Sequence, residues 1–230
     1  MALTLYIGNK RYSSWSMRPW VLLKALNIPF DEKLQLFKPG QRQPEFLKFS
    51  PTGKVPCLYD SERKDVAIWD SLAICEYIAE KHPAAWPCDP VARAFARSAA
   101  SEMHSSFPTI RDECSMNVAL RIELGEPSEG LKRDLERFTT LFNDGIQRFG
   151  GPFLAGDSFT VADAFYAPIA SRVKTYGIKL EGAAGEYLER LYEHPAIQEW
   201  IKEGIEETAR EPYHEEDCVR GRKVLEDFCK

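Results

Sequence analysis

Three serines stand within four positions of the stretch RYSSWSMRPW, residues 11–20, between an apolar run and a helical pattern. Ser16 comes just before that pattern. A serine there is typical of an N-cap, because its oxygen accepts a backbone N–H that the helix leaves unpaired. Ser13 and Ser14 lie where a strand leads into a helix N-terminus, which attracts anions. Their hydroxyls are therefore either further local capping groups or donors that hold a thiolate or another anion.

The spacing of these serines adds a second observation. Residues 13–16 occupy the place that a C-x-x-C motif takes in a thioredoxin-like unit, between the first strand and the first helix. Both sulfurs are absent here. If the fold is of this kind, the segment cannot perform dithiol exchange, and any thiol that reacts there must come with a ligand.

The elements that would position these serines follow from hydrophobic periodicity. Up to residue 82 the pattern alternates, and it predicts strands at 3–7, 30–37, 54–60 and 66–69 and helices at 16–26, 43–49 and 71–82. This order indicates a small α/β unit over residues 1–81. The proline-rich segment 82–90 is predicted to be a linker.

The remainder, residues 91–230, is predicted to be helical. The expected helices are at about 91–123, 128–149, 160–176, 185–192 and 195–208. The last stretch, HEEDCVRGRKVLEDFCK, is highly charged and weakly periodic. It is expected to form a short helix or a frayed tail.

Composition excludes several classes of function. A net charge of -5 with mixed signs gives no basic footprint, so we expect no nucleic-acid partner. No apolar run approaches the roughly 18 residues of a membrane helix, and the first residues lack a signal-peptide pattern, so we expect no membrane association and a cytoplasmic location. Six scattered cysteines without C-x-x-C and four histidines without ligand spacing predict reduced thiols and no metal site.

Four segments carry a resemblance that covers nearly the whole chain: YSSWSMRPW at 12–20, SPTGKVPCL at 50–58, WDSLAICEYIAE at 69–80 and GGPFLAGDSFTVADAFYAP at 150–168. Taken in this order, they resemble cytosolic glutathione S-transferases of the serine type, which include the theta and zeta classes and bacterial relatives. The resemblance implies an α/β thioredoxin-like N-terminal domain, an all-α C-terminal domain, and glutathione as co-substrate. It also implies a homodimer.

The resemblance assigns roles to individual residues. Ser13, or Ser14 after a one-residue shift of the loop, would stabilise the thiolate of glutathione and so lower the thiol pKa. A cis peptide bond between Val55 and Pro56 would let the Val55 backbone pair with the cysteine part of glutathione. Lys54 would meet the glycine carboxylate, with Gln41 as a second candidate for the same end.

The pair Asp70-Ser71 is either a simple helix cap or, by resemblance, the site of the γ-glutamyl end. Ser71 and the helix N–H groups would receive the carboxylate, and Asp70 the ammonium group. Asp70 is one methylene shorter than the glutamate that is commoner in the family, so a water would bridge any gap. Thr160 and Asp163 are predicted to form a structural capping box.

The second substrate would lie between the two domains. His104, Phe107 and Arg111 have the spacing of one helical face, which predicts either a site for a small hydrophobic electrophile or domain packing. The function implied is conjugation of glutathione to such electrophiles. Two alternatives remain: a zeta-like, glutathione-dependent isomerase of the maleylacetoacetate type, and a non-enzymatic scaffold with the same fold.

Overall fold

The computed structural model describes residues 3–40, 43–63 and 66–229, so the candidate Gln41 lies outside the described residues. The strands are β1 (Leu3–Ile7), β2 (Phe30–Leu34), β3 (Cys57–Asp60), β4 (Ala67–Trp69), β5 (Leu120–Ile122) and β6 (Val224–Asp227). The helices are α1 (Ser14–Ala25), α2 (Ser71–Lys81), α3 (Pro90–Ser105), α4 (Pro108–Glu113), α5 (Glu129–Phe149), α6 (Val161–Thr175), α7 (Gly182–Tyr192), α8 (Pro195–Glu206) and α9 (Pro212–Val219).

The first part of the chain is built on a four-stranded mixed sheet in the order β2-β1-β3-β4. β1 pairs in parallel with β2 and in antiparallel with β3. β3 in turn pairs in antiparallel with β4. Alternate residues of β1, Leu3, Leu5 and Ile7, are buried against the helices. α2 ends at Lys81 and α3 begins at Pro90, on either side of the predicted linker. The predicted thioredoxin-like arrangement is confirmed.

The helical part packs around α6, which is buried along nearly its whole length. α6 lies against both α3 and α1, and α1 also packs against α8. Trp20 of α1 and Trp200 of α8 meet edge to face, with ring centroids 5.2 Å apart. The first helix of the sheet unit, which begins at the serines, is therefore held by two helices of the second unit.

The single helix expected over residues 91–123 is interrupted. α3 ends at Ser105, Phe107 takes a left-handed conformation with φ 62°, and α4 begins at Pro108. The cause is in the sequence, because a proline lacks the N–H that would continue the helix and disfavours helical backbone in the residue before it. α4 ends at Glu113, and a loop followed by β5 replaces the rest of the expected helix.

The C-terminal segment is ordered by contacts far along the chain. It forms α9, and then β6 pairs antiparallel with β5, where Leu120 faces Asp227. Arg210 binds the Asp227 carboxylate at 2.8 Å, and the Phe228 N–H donates to the Ala119 carbonyl at 2.9 Å. The helix alternative for the tail is therefore correct, and the two-stranded sheet was not predicted. Within the described ranges, none of the helices combines the length and apolarity of a membrane span.

Candidate active site

The N-terminus of α1 is organised by two of the three serines. Ser13, and not the predicted Ser16, is the N-cap: its Oγ accepts the Ser16 N–H at 3.3 Å and donates to Ser16 Oγ at 2.8 Å. Ser16 Oγ also accepts the Gly8 N–H at 3.1 Å, just after β1. The prediction for Ser16 was wrong because the helix begins at Ser14, before the apolar periodicity becomes visible. Ser16 instead ties the helix to the strand.

The connection from β1 to α1 passes close to the loop after β2. A Cβ on Gly8 would lie 2.5 Å from the Phe37 ring, so only glycine fits without displacing that ring. The Asn9 side-chain carbonyl accepts the Phe37 N–H at 2.8 Å. These two contacts fix Phe37 beside the start of α1.

Ser14 is the first residue inside α1, and its hydroxyl differs from that of Ser13. The residue is only 6% exposed, yet its hydroxyl makes no hydrogen bond to any described residue. The backbone N–H of Trp15 also lacks a partner within the described ranges. A free hydroxyl and a free N–H at the positive end of a helix are suited to bind an anion.

Two cavities meet at this helix terminus. One, of about 230 Å³, is lined by both Ser13 and Ser14, and the other, of about 430 Å³, by Pro56, Asp70, Ser71 and His104. Trp15, Lys54 and Val55 line both cavities. Because they share these walls, the two cavities adjoin, and together they extend from the serines to the N-terminus of α2. We refer to this pair of adjoining cavities as the groove. The structure thus brings together the predicted residues of the sheet unit that it describes.

The middle of the groove is formed by Lys54, Val55 and Pro56. The Val55–Pro56 peptide bond is cis. The Val55 N–H has no hydrogen-bond partner among the described residues. Lys54 is exposed and makes no ion pair with a described carboxylate. This part of the groove therefore offers an unpaired backbone donor and an exposed positive charge.

The far end of the groove is the N-terminus of α2. One carboxylate oxygen of Asp70 caps the helix, accepting the N–H groups of Leu72 at 2.8 Å and Ala73 at 3.3 Å. The other lies 3.2 Å from His104 Nε2. Ser71 is buried, and its Oγ accepts a long hydrogen bond from Arg18 at 3.5 Å. Both oxygens of Asp70 therefore already have partners within the protein.

The three candidates from the helical part do not share one face. His104 contacts the Trp15 ring edge to face at 5.4 Å, and the Arg111 guanidinium lies 4.8 Å from the same ring. Phe107 is buried instead against Phe138, with ring centroids 4.3 Å apart. The expected common face was wrong because the helix is interrupted at Phe107. His104 and Arg111 border the groove, and Phe107 belongs to the core.

The environment of His104 favours its neutral form. Burial lowers the pKa of the imidazole; the Asp70 carboxylate opposes this, while Arg18 and Arg111 add to it. Burial also lowers the pKa of Arg111. The groove is therefore bordered by an uncharged histidine that can donate to Asp70.

Arg18 and His214 also belong to the site, and sequence reasoning did not single them out. Arg18 is completely buried, with its guanidinium 4.0 Å from the Trp15 ring, and its Nε and Nη2 have no partner in the described part of the chain. Burial lowers its pKa well below the usual range. An arginine directly before the apolar residues of α1 was the available signal. His214, from α9, lines the cavity of Ser13 and Ser14.

A metal centre finds no support in the side chains. No group of three or more His, Cys, Asp or Glu residues within the described ranges is placed to hold a metal ion. The chemistry that the groove offers is that of hydrogen-bond donors and positive charge around an anion.

Comparison with known proteins identifies the family. Residues 12–81 match the family described as glutathione S-transferase, N-terminal domain, and residues 99–203 match the glutathione S-transferase, C-terminal domain. A zeta-class glutathione S-transferase of Euphorbia esula is 31% identical over 169 residues, which cover 72% of this chain and 73% of the relative. Glutathione S-transferase 1 of Dianthus caryophyllus is 28% identical, covering 77% of this chain and 80% of the relative.

A similar fold occurs in a solved structure. A glutathione transferase homologue from Burkholderia, crystallised with bound glutathione, superposes with a TM-score of 0.66 at 24% identity, covering 90% of this chain and all of the other. The superposition extends over both the sheet unit and the helical unit. Together with the matched domains and the identity to the zeta-class relative, it shows that this chain belongs to the glutathione S-transferase family.

Proposed function

We propose that the protein transfers glutathione to small hydrophobic electrophiles and that the N-terminus of α1 activates the thiol. The observation that carries the proposal is the groove of two adjoining cavities, whose walls include Ser13 and Ser14 at one end and Asp70 and Ser71 at the other. A tripeptide with a thiol in its middle residue matches this arrangement of donors and charges. The glutathione in the Burkholderia homologue adds support through shared fold.

Each part of glutathione has a complementary group in the groove. The glycine carboxylate meets Lys54, and the cysteine backbone pairs with the free Val55 N–H as an added strand would. The γ-glutamyl carboxylate meets Ser71 and the first N–H groups of α2. The ammonium group of the γ-glutamyl residue competes with His104 for Asp70, because His104 Nε2 already lies 3.2 Å from the Asp70 carboxylate.

The hydroxyl of Ser14 is the better placed donor for the thiolate. Ser13 donates its proton to Ser16 Oγ at 2.8 Å, and turning it toward a ligand would break that bond. Ser14 has no such bond to lose among the described residues. A free thiol has a pKa of about 8.5, and each unit of lowering requires about 1.4 kcal/mol of preferential thiolate stabilisation.

The test measures glutathione binding by calorimetry and thiolate absorbance against pH in the wild type, Ser13→Ala and Ser14→Ala. We expect Ser14→Ala to raise the thiol pKa by about one unit, the value of one lost hydrogen bond to a charged group, and Ser13→Ala to act mainly on stability. Ser98→Ala, which removes an exposed hydroxyl bonded only within α3, is the matched control. An unchanged titration in both cap variants would refute activation by these hydroxyls.

An isomerase of the maleylacetoacetate type is the second candidate. A relative named as a probable maleylacetoacetate isomerase, from Caenorhabditis elegans, is 24% identical and covers 73% of this chain. Arg111 at the border of the groove would suit a substrate with carboxylates. Assays with maleylacetone, beside a chlorodinitrobenzene, an isothiocyanate and a hydroperoxide, separate the two activities. Failure of the wild type to bind glutathione would favour a scaffold role. Sedimentation would test the homodimer that the family resemblance implies.

A further inference from the structure

The cavity of Ser13 and Ser14 is bordered by a side chain from the last part of the chain. His214 of α9 is sandwiched between Phe37, with ring centroids 4.9 Å apart, and Tyr12, at 5.1 Å. The rings are nearly parallel, at 17° and 23°. His214 thereby becomes a wall of the cavity that the two serines share. Tyr12, which fixes the position of the His214 ring, directly precedes Ser13, the N-cap of α1.

A buried carboxylate orients this imidazole. His214 Nδ1 lies 2.6 Å from Glu211 Oε2, and the Glu211 side chain is only 3% exposed. When the neutral imidazole donates its Nδ1–H to this carboxylate, its unprotonated nitrogen is Nε2, which has no hydrogen-bond partner among the described residues. A base held by a third group and left with one free nitrogen is the arrangement that activates a nucleophile in many enzymes.

The helix that carries the pair is firmly anchored. The Tyr12 hydroxyl donates to Glu215, and the Glu211 N–H donates to Tyr12 Oη at 3.3 Å. Tyr176 Oη donates to the Cys218 carbonyl at 3.0 Å, which fixes the end of α9 to α6. The contacts hold α9 against both the start of α1 and the helical unit. The imidazole is therefore not a side chain of a frayed terminus.

We infer that His214 accepts the proton of the glutathione thiol and that Glu211 is the positioning residue for it. The inference rests on the proposed function. The S–H bond breaks, its electron pair stays on sulfur, and the proton forms a bond to Nε2. The imidazolium is then balanced by the Glu211 carboxylate, while a serine hydroxyl donates to the thiolate. After the carbon–sulfur bond forms, the imidazolium releases its proton to the leaving group, to the product carbanion or to water.

The structural alternative is that the pair only stabilises the beginning of α9. Glu211 is the N-cap of that helix, since it accepts the His214 backbone N–H at 2.8 Å. Two variants separate the roles. His214→Phe keeps the backbone N–H and the aromatic stack but removes the ring nitrogens. Glu211→Gln keeps an oxygen to cap the helix but removes the charge.

The titratable and charged groups around His214 must be included in the interpretation of a pH profile. They are Glu211, which caps its helix, Glu215 on that helix, Tyr12 before α1, and Lys54 across the cavity. Arg11 and Arg210 each lie 3.7 Å from the Glu215 carboxylate. Tyr213 also contacts the ring edge to face. Glu216→Gln is the matched control, because Glu216 lies on the same helix but is exposed.

The experiment compares thiolate absorbance against pH, glutathione affinity and melting temperature in the wild type and the three variants. We expect His214→Phe to raise the apparent thiol pKa by at least about one unit, which corresponds to about a tenfold loss of thiolate at pH values well below the wild-type thiol pKa. Glu211→Gln should shift it in the same direction by less, and Glu216→Gln not at all. All three should keep the wild-type melting temperature to within a few degrees.

The outcomes are distinct. An unchanged thiol pKa in His214→Phe overturns the inference, and so does a loss of affinity with an unchanged pKa, since His214 would then only bind the ligand. If His214→Phe fails to fold, Glu211→Gln alone decides by the same criterion. A wild type that does not bind glutathione overturns the proposed function and this inference together. This inference alone is overturned if the wild type binds and ionises glutathione and the thiol pKa shifts in Ser14→Ala but not in His214→Phe or Glu211→Gln.

Discussion

Asp163 holds the beginning of α6, and its removal should destabilise the protein far more than removal of its capping partner Thr160. The buried carboxylate accepts four hydrogen bonds: from the N–H groups of Thr160 at 2.8 Å and Leu154 at 2.9 Å, from the Tyr187 hydroxyl at 3.0 Å, and from the Thr160 hydroxyl at 3.1 Å. Burial raises the pKa of Asp163, and these bonds oppose that effect. The predicted capping box is confirmed, and it extends to α7 and to the loop before α6.

The magnitude follows from the donors left behind. Asp163→Ala leaves two buried backbone N–H groups without an acceptor, each costing about 1–3 kcal/mol, while the two hydroxyls can turn elsewhere. We expect a loss of about 4 kcal/mol in the free energy of unfolding, a large part of the roughly 5–15 kcal/mol that stabilises a native protein. Thr160→Ala removes one hydroxyl and should cost about 1 kcal/mol.

Urea denaturation followed by circular dichroism and tryptophan fluorescence gives both values. The double variant should cost little more than Asp163→Ala, because both changes act on one network. Glutathione affinity of the folded fraction should stay at the wild-type value in each case, since the box lies in the helical unit away from the groove. The reasoning would be refuted if Asp163→Ala cost no more than Thr160→Ala.

Two further predictions concern other contacts. Gly8→Ala places a methyl group 2.5 Å from the Phe37 ring. We expect it to lower the free energy of unfolding by about 1–3 kcal/mol, measured by thermal melting, and to weaken glutathione binding, measured by calorimetry. A wild-type affinity for glutathione would contradict this prediction. Hydrogen bonds from the Tyr77 hydroxyl and the Glu62 N–H lower the pKa of Asp60 to about 2. Its stabilising contribution is therefore complete above an unfolded-state pKa of about 3.9 and is lost as the pH falls toward 2. Tyr77→Phe should flatten the loss of unfolding free energy over this window in urea titrations, and an identical profile would exclude the assignment.

Local sequence patterns predicted the sheet unit well because its signals are local. The alternation of Leu3, Leu5 and Ile7 and the turn residues between strands are visible within short windows. The same windows could not assign the cap of α1. Ser13, Ser14 and Ser16 are all competent N-cap residues, and only the turn of chain after β1 decides which hydroxyl meets which N–H.

The misplaced Phe107 has a different cause. Helical periodicity relates His104, Phe107 and Arg111 only if the backbone stays helical between them, and Pro108 prevents this. The side chains of His104 and Arg111 still reach the Trp15 ring, because the helix interruption and the packing of α3 against α6 bring them there. Their place at the groove depends on tertiary contacts that no spacing rule contains.

The role of the C-terminal segment was beyond local reasoning for a similar physical reason. Some of its side chains contact partners that are distant along the chain, as in the contact of Tyr12 with Glu215, and such contacts leave no periodic pattern in the segment itself. At the start of α1, the groups that can face an anion are donors: hydroxyls, an N–H and the Lys54 ammonium. Donors stabilise a thiolate but do not take up its proton. A site built this way gains from an acceptor brought in from elsewhere, and His214, held by Glu211, is the side chain that the fold places at that cavity.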